Sequence, residues 1–216
     1  MLSKLFLGIS LVGAEWVLYL LVFTSLISVS LIFERYRFFK KATQELESFR
    51  NQVRIQATEK NWAAVLKTAE SRVRQNTDYP DLETEMVYTL LSHTQSSGSK
   101  THPEVLTEVA HDPVMRAKLQ WEKNLATLAT IGSNAPFLGL FGTVLGIIQA
   151  FHDLANQSAQ GVQTVTAGLS EALIATAVGL LVALPAVIAF NLYQRQVKAA
   201  LTEAESMKSF LIGKLS

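Results

Sequence analysis

Three long apolar stretches punctuate the chain. The first reads "WVLYLLVFTSLISVSLIF", Trp16 to Phe33; the second runs from Leu125 to about Leu154; the third runs from about Val165 to Leu192. Each is long enough to cross about 30 Å of hydrocarbon as a helix. Between the first two lies a polar segment in which Leu46, Phe49, Val53, Trp62, Val65, Leu66 and Ala69 recur at helical spacing. A further helix is predicted over Leu82 to His93, then a break at "TQSSGSKTHP", where Gly98 and Pro103 are turn residues. Proline is tolerated in a helix's first turn, so another helix is predicted to begin at Pro113 and run unbroken into the second span. Leu201, Ala204, Met207, Phe210 and Leu211 keep helical register after the third span, so that helix is predicted to continue. No strand alternation or internal repeat competes with this pattern.

The expected architecture is an all-α integral membrane protein with three transmembrane helices and a large cytoplasmic helical loop. The divisions are an external or interfacial segment (1–13), span one (14–33), a cytoplasmic helical domain (34–123), span two (124–154), a periplasmic connector (155–163), span three (164–193) and a cytoplasmic helix (194–216). Lys4 precedes an apolar run without a small-residue cleavage site, so removal of a signal peptide is not expected.

Composition sharpens this picture in two places. Of 216 residues, 49% are hydrophobic and 17% charged, with a net charge of +1, so bulk charge gives no argument for nucleic acid. There is no cysteine, which excludes disulfides, thiolate catalysis and thiolate metal sites. The basic residues instead set topology. Arg35, Arg37, Lys40 and Lys41 follow span one; Arg116, Lys118 and Lys123 precede span two; Arg195 and Lys198 follow span three. No Lys or Arg lies between Lys123 and Arg195. The positive-inside rule therefore puts the N-terminus outside and the loop and C-terminus in the cytoplasm.

Small residues form stripes on spans two and three. Gly132, Ala135, Gly139, Gly142, Gly146 and Ala150 share one helical face, as do Gly168, Ala172, Ala175, Gly179, Ala183 and Ala186. Smooth faces let helices pack closely in lipid, within one chain and between copies. Pro136 and Pro185 each remove a backbone hydrogen bond within a span and are expected to bend it.

Against this background Glu171 stands out. It lies about seven residues inside span three, roughly 10 Å below its external start. A carboxylate there costs about 2.5–3.5 kcal/mol, so it needs a hydrated cavity, a partner or a proton. One reading is a glutamate that only hydrogen-bonds a neighbouring helix. The other is a proton-binding site, with Thr143 and Thr176 as hydroxyl neighbours that could equally bond their own helix. Thr176 lies about 140° round the helix from Glu171.

Enzymatic readings find little support. Ser133 and Ser170 have no histidine within a span to act as base, and His93, His102, His111 and His152 lack zinc-site spacing. No metal or cofactor is expected. A passive membrane scaffold would explain the stripes and leave Glu171 without a role.

The segments "APFLGLFGTVLGIIQAF" (Ala135 to Phe151) and "GLSEALIATAVGLLVALPAVIAFN" (Gly168 to Asn191) resemble the MotA/TolQ/ExbB proton channel family, most of all its ExbB/TolQ branch. The resemblance implies a homopentamer in the inner membrane of Gram-negative bacteria. That ring surrounds single-span helices of an ExbD/TolR-like partner carrying a membrane aspartate, and drives a TonB/TolA-like protein. It implies that Glu171 is the proton-site glutamate, that Thr143 and Thr176 line the same passage, and that Pro136 and Pro185 are the family's span prolines. Proton motive force is then converted into work on the envelope, for TonB-type transport, Tol-type envelope function or gliding motility.

Overall fold

In the computed structural model, residues 15–97, 102–156 and 161–215 are described. They form seven helices: α1 (Glu15–Ala42), α2 (Leu46–Thr58), α3 (Trp62–Gln75), α4 (Thr84–Ser97), α5 (Pro103–Glu122), α6 (Leu125–Asn156) and α7 (Gly161–Leu215). No strand occurs among the described residues. Three helical stretches, Glu15–Thr58, Pro103–Ala155 and Thr166–Leu215, contain a window long and apolar enough to cross a membrane. The segment expected at 1–13 lies outside the described residues, as do the connector residues 157–160 and the break at 98–101.

The chain divides into two compact units. One holds the described residues up to Phe33 together with Asn124–Asn191; the other holds Glu34–Lys123 and the residues from Leu192 onward. In the first unit, Val17 and Leu21 of α1, Ile131, Ala135 and Leu145 of α6, and Val182, Ala183 and Ala186 of α7 form one buried cluster. Outward residues of the same helices are large and apolar, among them Phe23, Leu26, Phe137 and Leu181. That is the inverse of a soluble protein and fits a lipid solvent, which gives no hydrophobic drive to helix association.

The second unit has a soluble-type core. Leu46, Phe49, Val53 and Ala57 of α2 are buried, as are Val65 and Ala69 of α3, so the predicted helical face is the packed one. The buried face shifts by roughly 120° between the two helices, and the chain breaks at residues 59–61. Lys60 takes φ 58°, and the Asn61 side chain accepts the Ala64 amide at 3.2 Å as N-cap of α3. Asn61→Ala is expected to cost about 1 kcal/mol. The thermal midpoint of the purified protein would then fall by about 2–4 °C.

Buried charges in this unit are matched. Arg72 donates to Asp81 Oδ2 at 3.0 Å and to the Gln44 carbonyl at 2.8 Å. Asp81 Oδ1 accepts the Glu83 and Thr84 amides at 3.0 and 2.7 Å, which fixes the start of α4 two residues after the predicted one. Arg50 grips Glu83 with Nε at 2.8 and 2.9 Å from its two carboxylate oxygens. Burial pushes the Glu83 carboxyl up, by more than the hydrogen bonds from Arg50 draw it down. Phe39 stacks on Tyr193 at 5.0 Å, and Trp121 meets Phe39 edge-on at 5.2 Å.

The fifth helix departs from expectation. It starts at Pro103, ten residues before the predicted start, and passes through Pro113, which is buried in its interior. Proline's missing amide deprives the Val109 carbonyl of its helical donor, a loss that packing along Leu106, Ala110, Val114, Ala117 and Trp121 offsets. Nor does the helix continue into span two. Lys123 is extended at ψ 135°, and Asn124 sits at φ 64°, a left-handed position that asparagine tolerates. The predicted continuation beyond span three is present: α7 is one helix of 55 residues, with Ala204, Met207 and Leu211 fully buried.

A candidate proton site beside a glycine seam

Spans two and three meet along the small-residue stripes. A Cβ on Gly139 would lie 2.7 Å from the Ala175 carbonyl oxygen, and one on Gly179 would lie 2.6 Å from the Ala135 carbonyl oxygen. Gly142 faces the Ala175 side chain and Val17, while Gly168 faces Ala150 and Gly132 faces Val187. Positions on α6 rise as those on α7 fall, so the two helices run antiparallel. Gly139, Gly142, Gly146, Ala172, Ala175 and Gly179 are all buried. Pro136 and Pro185 each lie within an unbroken helix.

The seam brings Thr143 and Thr176 together. Thr143 is buried, and its hydroxyl bonds that of Thr176. The same oxygen lies 3.1 Å from the Gly139 carbonyl, in its own helix, and 3.2 Å from the Ala172 carbonyl across the seam. The two hydroxyls thus tie α6 to α7 at the carbonyl of Ala172, the residue after Glu171.

Glu171 itself is not part of this contact. Its side chain is exposed on the single chain and makes no hydrogen bond or ion pair among the described residues. Of the three polar side chains singled out in the sequence, the fold joins two and turns the third toward the surroundings of the chain. No group of three metal-binding side chains exists among the described residues. His152 lies 3.6 Å from Asp153 and far along α6 from Ser133.

Sequence inspection gave no role in proton binding to a second polar group on α6. Thr130, Ser133 and Asn134 are all exposed, the last two lying three and four residues after the first. Their spacing is visible in the sequence, but their exposure depends on which face the seam occupies.

This arrangement, a lone acid beside a glycine seam in a three-span helical chain, coincides with a family assignment. The model of the MotA/TolQ/ExbB proton channel family matches residues 34–206. The chain belongs to this family.

The family match includes α6 and α7 as far as residue 206, and therefore the whole seam. The chain is 33% identical over 185 residues to the Tol-Pal system protein TolQ of Pseudomonas aeruginosa, covering 82% of this chain and 76% of TolQ. It is 43% identical over 90 residues to the biopolymer transport protein ExbB of Pseudomonas putida, covering 40% of this chain and 27% of that protein. With ExbB of Salmonella typhimurium it shares 49% identity over 70 residues, 32% of this chain and 29% of that protein. The match thus spans three quarters of the TolQ relative and under a third of these two ExbB proteins. MotA/TolQ/ExbB is a channel family and not a family of enzymes.

Proposed function

We propose that this protein is the ring-forming subunit of an inner-membrane proton channel that converts proton motive force into mechanical work on the cell envelope. In this reading five copies surround a single-span, ExbD/TolR-like partner carrying a membrane aspartate. Glu171 binds and releases the proton. Thr143 and Thr176 hold the adjoining backbone and offer hydroxyls to the same passage. The observation that carries the reading is Glu171: an acid turned outward from an otherwise uncharged span, in a chain of a proton channel family. A passive scaffold has no use for it.

The energy is adequate. One charge moved through 100 mV yields about 2.3 kcal/mol, enough to bias a helix interface between two states that differ in their contacts with Glu171. The lengthwise likeness to TolQ favours a Tol-type client; the higher identity to ExbB over a shorter stretch supports a TonB-type client as the second reading.

The test is vibrational spectroscopy of the assembled complex in lipid. A carboxyl band that changes during turnover and vanishes in Glu171→Gln supports the reading, and a Glu171 locked in one ionisation state overturns it. Orientation has its own check, in which the basic flanks keep the Asn156–Gln160 connector outside. Lysines substituted there are expected to oppose native insertion, seen as altered labelling of both termini from the two sides of the membrane.

A further inference from the structure

The group Thr130, Ser133 and Asn134 carries a chemistry of its own. Thr130 donates its hydroxyl hydrogen to the Ala126 carbonyl at 2.9 Å, and Ser133 donates to the Thr130 carbonyl at 3.2 Å. The Asn134 amide donates to the Thr130 carbonyl at 2.8 Å and to Ser133 Oγ at 3.3 Å. Every polar hydrogen of the three side chains is therefore spent on α6 itself. Because the Thr130 carbonyl can only accept, the Asn134 amide nitrogen must face it, and Asn134 Oδ1 is left outward. Pro136 also leaves the Gly132 carbonyl without its helical donor, but Gly132 is buried against Val187, so the outward acceptors are those of the three side chains. The result is a patch that offers acceptors and no donors.

Its position relative to Glu171 follows from the seam. Gly168 lies opposite Ala150 and Gly142 opposite Ala175, so Glu171 is level with about residue 146 of α6. Asn134 is some twelve residues away along the axis, about 18 Å. The exposed α6 residues between the two levels are Phe137, Leu140, Phe141 and Val144, all apolar. Nothing there holds a water strongly.

We infer that Asn134, with Ser133 and Thr130, is a second station for the hydrated proton, on the far side of an apolar section from Glu171. Hydronium and water are donors, and an outward acceptor patch takes them. An unsatisfied amide oxygen facing hydrocarbon would be costly, so the station faces water in the assembly. The inference rests on Glu171 being the proton site, and it assigns to Asn134 the exchange with the cytoplasmic side.

The experiment is proton flux through the complex of this chain with its single-span partner, reconstituted in liposomes. Asn134→Leu and Asn134→Ala, which remove the outward acceptor, are expected to slow flux about tenfold or more, the rate equivalent of one lost hydrogen bond. Native mass analysis should find both complexes intact. Asn134→Asp keeps outward acceptors and should retain flux, with a new carboxyl band that titrates during turnover. Unchanged flux in the Leu and Ala variants overturns the inference. So does loss of assembly in both, which would mean that the amide serves a neighbouring helix. If flux instead survives Glu171→Gln, it is the proton-site reading that fails, whatever Asn134 does.

Discussion

Glu171→Gln is expected to stop proton-driven work while the complex assembles normally. Glutamine keeps the size and the hydrogen-bonding capacity of glutamate but cannot give up a proton near neutral pH. The loss in flux should be at least about 100-fold, the lower range for a positioned proton-transfer group. Assembly should survive because the side chain takes no part in the contact between α6 and α7; it is exposed on the single chain. Glu171→Asp keeps the chemistry and shortens the reach by one methylene, so partial activity is expected. Flux through reconstituted complex and native mass of the same sample decide the matter. Full flux with glutamine would return the protein to the scaffold reading.

The second large effect belongs to the seam. A side chain at Gly139 or Gly179 meets backbone, which cannot rotate away: the Ala175 carbonyl and Thr176 Cα in one case, the Ala135 carbonyl and Gly139 Cα in the other. Gly139→Leu or Gly179→Leu must therefore push α6 and α7 apart. The cost should reach at least about 3 kcal/mol, the upper range for overpacking, and the hydroxyl pair Thr143–Thr176 would separate with it. Gly213 provides the control. It lies in the same long helix with nothing within 4 Å of an added Cβ. Gly213→Ala should be neutral to stabilising, by up to about 0.5 kcal/mol, because alanine is favoured over glycine in a helix and Gly213 lies in its last turn. Thermal unfolding of the three variants in one detergent would separate the two outcomes. A wild-type midpoint for Gly139→Leu would mean that the helices are not in backbone contact.

Much of this was legible in the chain because lipid and glycine both write plainly. A span needs an uninterrupted apolar run, and close packing needs small residues at steps of three and four. The stripes predicted from Gly132 to Ala150 and from Gly168 to Ala186 are buried, save Gly168, which is half-buried. The loop helices were legible only in part. The apolar positions of α2 and of α3 each keep helical spacing but are out of phase with one another, and the break itself depends on a left-handed Lys60 and on the Asn61 cap. Pro113 misled for a different reason: tertiary packing on both sides holds a helix across it. The register of the seam was not legible, since it depends on which glycine meets which carbonyl. Without that register, Thr143 and Thr176 are two hydroxyls on separate helices, and Thr130, Ser133 and Asn134 are polar residues of unknown facing.

The contact between Gly139 and Gly179 also acts as electrical insulation. With a glycine Cβ position 3.1 Å from the opposing Cα, no water molecule fits between the two helices at that level. At that level of the seam a single copy therefore holds no file of water between α6 and α7. In the proposed assembly, conduction would then belong to surfaces that exist only once copies and partner come together, and an unassembled subunit would not short-circuit the membrane that powers it.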